Sequence, residues 1–582
     1  MTTSLSRACV LALALIACPS SVLRSQPTAA TLHPTLLSRP IAVVVEPSSQ
    51  IMHVGNQDSG TITTIDLTTK ASRESQSFGH KLKDLFWNAT TKTLIAVIES
   101  PNQLISLRSK EGTLTIVQQT PLAIVPERAA TSTDGTFVCI TDRWNSSSQF
   151  GMASPDPAVG FQIGTTLALP FLPKEVHSVS DHRFVIADAF GGNLAVVDSV
   201  QGSLIGAYRF SGHHIGGMGV DPVRKTLLVT HQIMNATAHT SQADIHWGTL
   251  MSNVVRCIPL DALVEREELL DSKSTLQNLG SMGSGEADPS GVVAWEDRLV
   301  VAASGTNHLV LRSQTTDTKQ VVELPAYPNR LAWVGNSKLA VVSTLSNSVS
   351  IVSLPSLSIE SIYGSESPSP TQELAGEIAF HDASLSHDGW ISCNSCHIDG
   401  HTSNLLADTL GDRTYSSPKR IPSLLSNFNT APYGWIGNKK TMEDQLEQTL
   451  ANTMHTERPI QEKKKLTANL ITYLKTLRLP PLKPTQDEPI QGLRLFESRG
   501  CSNCHQPDQE FTTANVYDLG VQDENGWKEF NPPTLNGLRF RKAFFHDARF
   551  SSLDVLLNNH PEPKPQWPAG DLEALREWLL QL

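Results

Sequence analysis

The sequence predicts a multidomain chain, a seven-bladed all-β propeller followed by two all-α domains. Three observations carry that expectation. Residues 40–360 repeat one strand–turn–strand pattern, 361–372 form a Ser/Pro linker, and helical periodicity then takes over in two similar copies.

The repeat is visible in IMHVGNQDSGTITTIDL (51–67), TLIAVIESPNQLISL (93–107), RFVIADAFGGNLAVVDS (183–199), RLVVAASGTNHLVLRS (298–313) and KLAVVSTLSNSVSIVSL (338–354). Aligned on their turns, the units place Gly55, Val97, Cys139, Ala187, Thr230, Ala302 and Val342 in equivalent positions, at steps of 42, 42, 48, 43, 72 and 40 residues. Alternating apolar residues mark half-buried strands, and a period of ~40–50 residues fits propeller blades. A single four-stranded sheet cannot bury both its faces, whereas a closed ring of them can. The step of 72 residues puts an insertion near 237–275.

Beyond the linker, TMEDQLEQTLANTM (441–454), LTANLITYLKTL (466–477) and DLEALREWLLQL (571–582) show helical spacing. The region is duplicated. Gly376–Phe380 (GEIAF) precedes one cysteine pair as Gly492–Phe496 (GLRLF) precedes another, and ITYLKTL (471–477) closes the first copy as LREWLLQL (575–582) closes the second. The Pro-rich LPPLKPTQDEP (479–489) divides them into domains at 373–482 and 486–582.

Composition narrows the function. With 46 Lys+Arg against 57 Asp+Glu, the net charge of −11 argues against a nucleic-acid partner, which needs a basic face. Charged residues at 18 % and hydrophobic ones at 39 % are those of a folded chain rather than a disordered one. At the N-terminus Arg7 precedes the apolar run ACVLALALIAC (8–18). That run is shorter than the ~20 residues needed to span a bilayer and suits the core of a signal peptide over 1–25. Leu15-Ile16-Ala17-Cys18 resembles a bacterial lipobox, which would anchor the mature protein by a lipid on Cys18; ordinary cleavage a few residues later is the alternative. No later stretch is long and apolar enough for a membrane helix, so the expected location is exported, periplasmic or cell-surface.

The chemistry lies in two C-x-x-C-H motifs, Cys393-Asn394-Ser395-Cys396-His397 and Cys501-Ser502-Asn503-Cys504-His505. Two thiols three apart on a helical turn can bond both vinyl groups of one macrocycle, and the adjacent histidine then faces the iron. Zinc is the competing reading, but it needs further ligands that no nearby cysteines supply. Two covalently bound haems c are expected, with His397 and His505 as proximal ligands.

Two resemblances extend this reading. Val54-Gly55-Asn56 with Gly60–Asp66, and Ala187-Asp188-Ala189 with Gly192–Asp198, resemble the YVTN/YncE-type propeller family. Residues 375–582 resemble the dihaem cytochrome c peroxidase/MauG family. Pro422-Ser423-Leu424 and Tyr433–Gly437 match its first-domain segments, while Pro533-Thr534-Leu535 and Phe544–Ala548 match those of the second. The resemblance implies that each C-terminal domain is cytochrome c-like and that Trp435 is an interhaem electron relay. It makes Met454 the distal ligand of the first haem, with His455 the fallback. Where the family places the second haem's methionine, this chain has His560, the candidate distal ligand there. Thr453 stands where the family has a glutamate, so the first haem lacks that base. His401, four residues beyond His397, is discounted as a ligand.

Imidazole ligation lowers a haem potential and thioether ligation raises it. The usual order of the two haems is therefore expected to invert, with electrons entering at the second. The expected function is an exported dihaem c-type cytochrome that transfers electrons, its propeller docking a redox partner protein or a small-molecule substrate. The alternative is a peroxidase or MauG-like enzyme with one open haem.

Three further features have blander expectations. His213, His214, His231, His239 and His246 make the fifth unit histidine-rich, yet their spacing is irregular and no carboxylate or cysteine set completes a metal site; a polar funnel facing the haem domain is expected instead. Cys139 and Cys257 are expected as buried thiols, and the glycine-rich 280–291 as a loop.

Overall fold

A computed structural model describes residues 22–24, 30–47, 49–264, 269–364, 369–481, 490–562, 567–568 and 570–582. The lipobox, Cys18 and nearly all of the expected leader lie outside them.

Seven four-stranded antiparallel sheets follow one another, at 40–74, 82–121, 128–168, 173–209, 213–278, 289–323 and 328–364. Their first strands touch in succession round a ring that closes where Pro328–Val334 meets Pro40–Val45. All seven aligned positions fall in the second strand of their blade, from Gly55 in Ile51–Asn56 to Val342 in Lys338–Ser343.

Those second strands are buried on both faces because each blade packs against two others. In Thr93–Ile98, Leu94, Ala96 and Ile98 pack with Ala42 and Ile62 of the first blade, and Ile95 and Val97 pack with Val138 and Ile140 of the third. One strand thus serves two interfaces through its period of two. The strand Val22–Arg24 pairs in parallel with the outer strand of blade 6, and Thr31–Pro34 with that of blade 7, covering edges that would otherwise be open.

The expected insertion is split. One part, carrying the short helix α1 (Gln242–His246), joins the second and third strands of blade 5; the other, with the turns Leu260–Leu263 and Asp271–Lys273, joins the third and fourth. The last propeller strand runs to Gly364, inside the expected linker.

Four helices follow in the first haem module: α2 (Gln372–His381), α3 (Cys393–Cys396), α4 (Met442–Gln448, continued by a π turn over Thr449–Thr453) and α5 (Ile460–Leu474). The second module has α6 (Ile490–Ser498), α7 (Leu553–Asn559) and α8 (Asp571–Leu579). The duplicated glycines explain the duplicated crossing. A Cβ on Gly376 would lie 2.0 Å from the Asn469 carbonyl oxygen of α5, and one on Gly492 would lie 2.6 Å from that of Ala574 in α8. Where helices alone are expected, each module also carries a two-residue ladder, Leu406–Ala407 with Lys419–Arg420 and Tyr517–Asp518 with Glu529–Phe530. No helix among the described residues is long and apolar enough to cross a membrane.

Candidate functional site

The first cysteine pair sits on α3, which forms because Ser392 caps it. The Ser392 hydroxyl accepts the Ser395 amide at 3.2 Å while the Ser395 hydroxyl accepts the Ser392 amide at 2.9 Å. Both hydroxyls then donate to one buried carboxylate, Asp288, at 2.5 and 2.6 Å. His397 follows directly, its Nδ1 donating to the Pro422 carbonyl at 2.9 Å. That bond fixes the proton on Nδ1 and leaves Nε2 with a free lone pair. Burial lowers His397 to about 4, so the ring is neutral and able to ligate.

A cavity of about 320 Å³ opens beside Cys393, Cys396 and His397, and Thr453 and Met454 form part of its wall. Its one acidic lining residue, Asp412, is held by Lys419 at 3.2 Å. Neither neighbouring histidine lines this cavity. His455 Nε2 donates to the Thr240 carbonyl at 2.7 Å, and His401 spends both nitrogens, on the Ser423 hydroxyl at 2.9 Å and the Phe540 carbonyl at 3.1 Å.

The second pair lies on a 3₁₀ turn, Cys501–Asn503, entered through Gly500 at φ 80°. His505 repeats the proximal arrangement, Nδ1 donating to the Phe511 carbonyl at 3.0 Å. Burial lowers His505 to about 4, with nearby His560 contributing. His560, just past α7, has a buried Nδ1 with no hydrogen-bond partner among the described residues.

Trp435 stands where the modules meet. Its indole N–H donates to the Arg420 carbonyl at 2.8 Å, and its own carbonyl accepts the Asn531 amide at 2.8 Å from the second module. His546, also of the second module, meets its ring edge-on at 6.4 Å between centroids and stacks on Phe530 at 4.1 Å. His546 is buried, and neither ring nitrogen has a hydrogen-bond partner among the described residues. Sequence reading missed Arg420 and Arg541, which line the same cavity without a carboxylate partner among the described residues. Burial and the neighbouring Arg541 push Arg420 down to about 9, and burial takes Arg541 to about 10. Two guanidiniums without an anion, two thiols three apart and a free imidazole nitrogen fit haem c, whose two propionates supply the missing charge.

The first module is seated on the propeller. Asp399 pairs with Arg143 of blade 3 at 2.7 Å and Lys174 of blade 4 at 2.9 Å. Burial raises its pKa, but those two cations more than offset this and hold it well below the ordinary 3.8. Arg39 of blade 1 grips the Glu377 carboxylate of α2 with both its terminal nitrogens. Trp390 packs onto the glycine-rich loop, where a Cβ on Gly280 would fall 2.5 Å from its ring.

Most of the histidine-rich set meets the haem module, His213 and His214 as buried contacts. His213 donates to the Ser395 carbonyl at 3.1 Å, His214 Nε2 accepts from the Asn394 amide at 3.3 Å, and His239 stacks on Tyr415 at 4.6 Å. His231 instead lies within blade 5, where Arg256 donates to it at 3.2 Å. Cys139 and Cys257 are buried thiols.

The molecule is thus a propeller ring carrying a helical region with two C-x-x-C-H turns. Residues 371–477 match the family model described as di-haem cytochrome c peroxidase. Over 234 residues the chain is 26 % identical to cytochrome c551 peroxidase of Nitrosomonas europaea, covering 31 % of this chain and 69 % of that one. Over 257 residues it is 23 % identical to methylamine utilization protein MauG of Methylorubrum extorquens, covering 35 % and 72 %. Among solved structures, Kuenenia stuttgartiensis hydrazine synthase aligns over 57 % of this chain and 99 % of its own at 13 % identity and a TM-score of 0.47. A streptogramin B lyase aligns over 53 % and 93 % at 14 % identity and a TM-score of 0.40. The C-terminal region is dihaem cytochrome c peroxidase/MauG-like, and it is carried on a seven-bladed β-propeller.

Proposed function

We propose that the chain is an exported dihaem c-type cytochrome that transfers electrons. Haem c, when bound, supplies a one-electron iron couple whose potential follows its axial ligands. Cys393, Cys396, Cys501 and Cys504 attach the two groups, His397 and His505 offer neutral Nε2 atoms, and Met454 and His560 are the distal ligands. Arg420 and Arg541 hold the propionates, and Trp435 bridges the modules as the relay.

One observation carries the choice of electron transfer over peroxide turnover. Peroxide cleavage needs a vacant iron site and a base within hydrogen-bond reach. Met454 and Thr453 form part of the cavity wall, which supports a methionine ligand with no base beside it, and the wall's carboxylate, Asp412, is tied to Lys419. The family match favours the second reading, a peroxidase or MauG-like enzyme. The face of the propeller around Asp288, Arg143 and Lys174 holds the chain's own haem module, so a redox partner or substrate docks on its other surfaces. Peroxide consumption with a reduced donor distinguishes the readings. The wild type should be inert, and Met454→Ala combined with Thr453→Glu, which restores both the vacancy and the base, should gain turnover, whereas rapid wild-type turnover establishes the enzyme reading instead.

A further inference from the structure

Blade 5 and the first haem module also bring together a donor set that the haem chemistry does not use. We propose that His246, His387 and Asp388 bind a late first-row divalent cation, with zinc the representative ion. His246 ends α1 in the propeller's insertion, and His387 and Asp388 lie in the turn leading to α3. The Asp388 Oδ2 atom is 2.7 Å from His246 Nδ1 and 3.4 Å from His387 Nε2, and the three donor atoms lie within 4.8 Å of one another. Zinc bonds of about 2.0–2.2 Å in a tetrahedron set ligand atoms about 3.3 Å apart, close to the spacing already present.

The donor chemistry fits the ion as well as the spacing does. Two imidazoles and one carboxylate suit zinc, copper or nickel and are a poor set for calcium or magnesium, which take oxygen ligands. The side chains are 40 %, 23 % and 24 % exposed, which leaves access from solvent and a fourth position for water. On the other side of His387, Nδ1 lies 3.6 Å from the exposed Glu457 carboxylate, an ion-pair distance that adds negative charge beside the site. Asp388 is fixed from the propeller side by the Gly285 amide, which donates to its carbonyl at 2.9 Å.

The consequence is a cross-link. One ligand belongs to the propeller and two to the haem module, so a bound cation would hold the two together. It would also act close to the first haem, because the His387 amide donates to the Met454 carbonyl at 2.9 Å.

The test uses the purified two-haem protein, freed of metal with a chelator and titrated with Zn²⁺, with zinc per chain measured after gel filtration. One zinc per chain is expected, accompanied by a rise in Tm that grows with zinc concentration. His246→Ala and His387→Ala should each weaken binding at least about 100-fold, while His239→Ala, in the same insertion, leaves it unchanged. If His246→Ala fails to fold, Asp388→Asn keeps the backbone and removes the charged ligand. No zinc on the wild type, or zinc retained equally by His246→Ala and Asp388→Asn, overturns the site. In that case the trio is an ion-pair clasp alone.

Discussion

The two haem modules share an attachment plan and differ in what supports it. Each has a C-x-x-C-H turn, a proximal imidazole donating to a carbonyl, a glycine that lets two helices cross closely and a two-residue ladder. The first turn is a helix with a reciprocal cap whose hydroxyls end on Asp288 of the propeller, and Asp399 beside it is clamped by Arg143 and Lys174. The second turn has no side-chain cap. Elsewhere in the second module, Phe540 meets Trp144 of the propeller at 4.9 Å and Lys542 donates to the Pro170 carbonyl at 3.3 Å. Duplication has kept the chemistry of attachment and left the surroundings to diverge. The propeller is the scaffold of the first module above all.

The largest effect that would break this comparison is loss of a haem. Mass spectrometry should show two haem additions on the wild type and one on either Cys393→Ser/Cys396→Ser or Cys501→Ser/Cys504→Ser. A haem-free protein holding zinc on those cysteines contradicts the attachment plan common to both.

Next comes the clamp specific to the first module. Asp399→Asn leaves Arg143 and Lys174 without their shared anion and should cost about 2–4 kcal/mol in denaturant unfolding. Because the folded pKa of Asp399 lies below its ordinary 3.8, its contribution is complete above that value and is lost as pH falls toward the folded one. The wild type should therefore lose stability more steeply than Asp399→Asn on acidification below about pH 4. Parallel acid profiles would show that the clamp contributes little.

A smaller effect separates the distal ligands. His560→Met should raise the midpoint potential of the second haem alone, because thioether favours ferrous iron. No shift, or a shift in the first haem, removes His560 from the coordination sphere and the inverted order of potentials with it. Smallest is Trp435→Phe, which keeps the packing and removes the indole bond to Arg420. Electron equilibration between the haems after pulse reduction should slow, and an unchanged rate returns Trp435 to a packing role.

The same contrast explains what was readable beforehand. Blade repeats announce themselves because each second strand must satisfy the same two-sided burial, so Gly55 through Val342 recur in step. Helices 441–454, 466–477 and 571–582 show their apolar stripes, and the haem motifs are local. The seat was not readable, since it joins residues far apart whose types are ordinary on their own. Asp288 sits in a loop marked only by glycine, and Asp399 meets partners more than 200 residues away. His246 meets its carboxylate partner, Asp388, 142 residues further along the chain. Arg420 and Arg541 carry no motif; only their burial without an anion reveals them.

The central claim is that Met454 and His560 close both irons. The electron paramagnetic resonance spectrum of the fully oxidised, purified protein tests it most directly. Two low-spin ferric signals without a high-spin component are predicted. A stoichiometric high-spin ferric signal would contradict the claim and leave one iron open to peroxide.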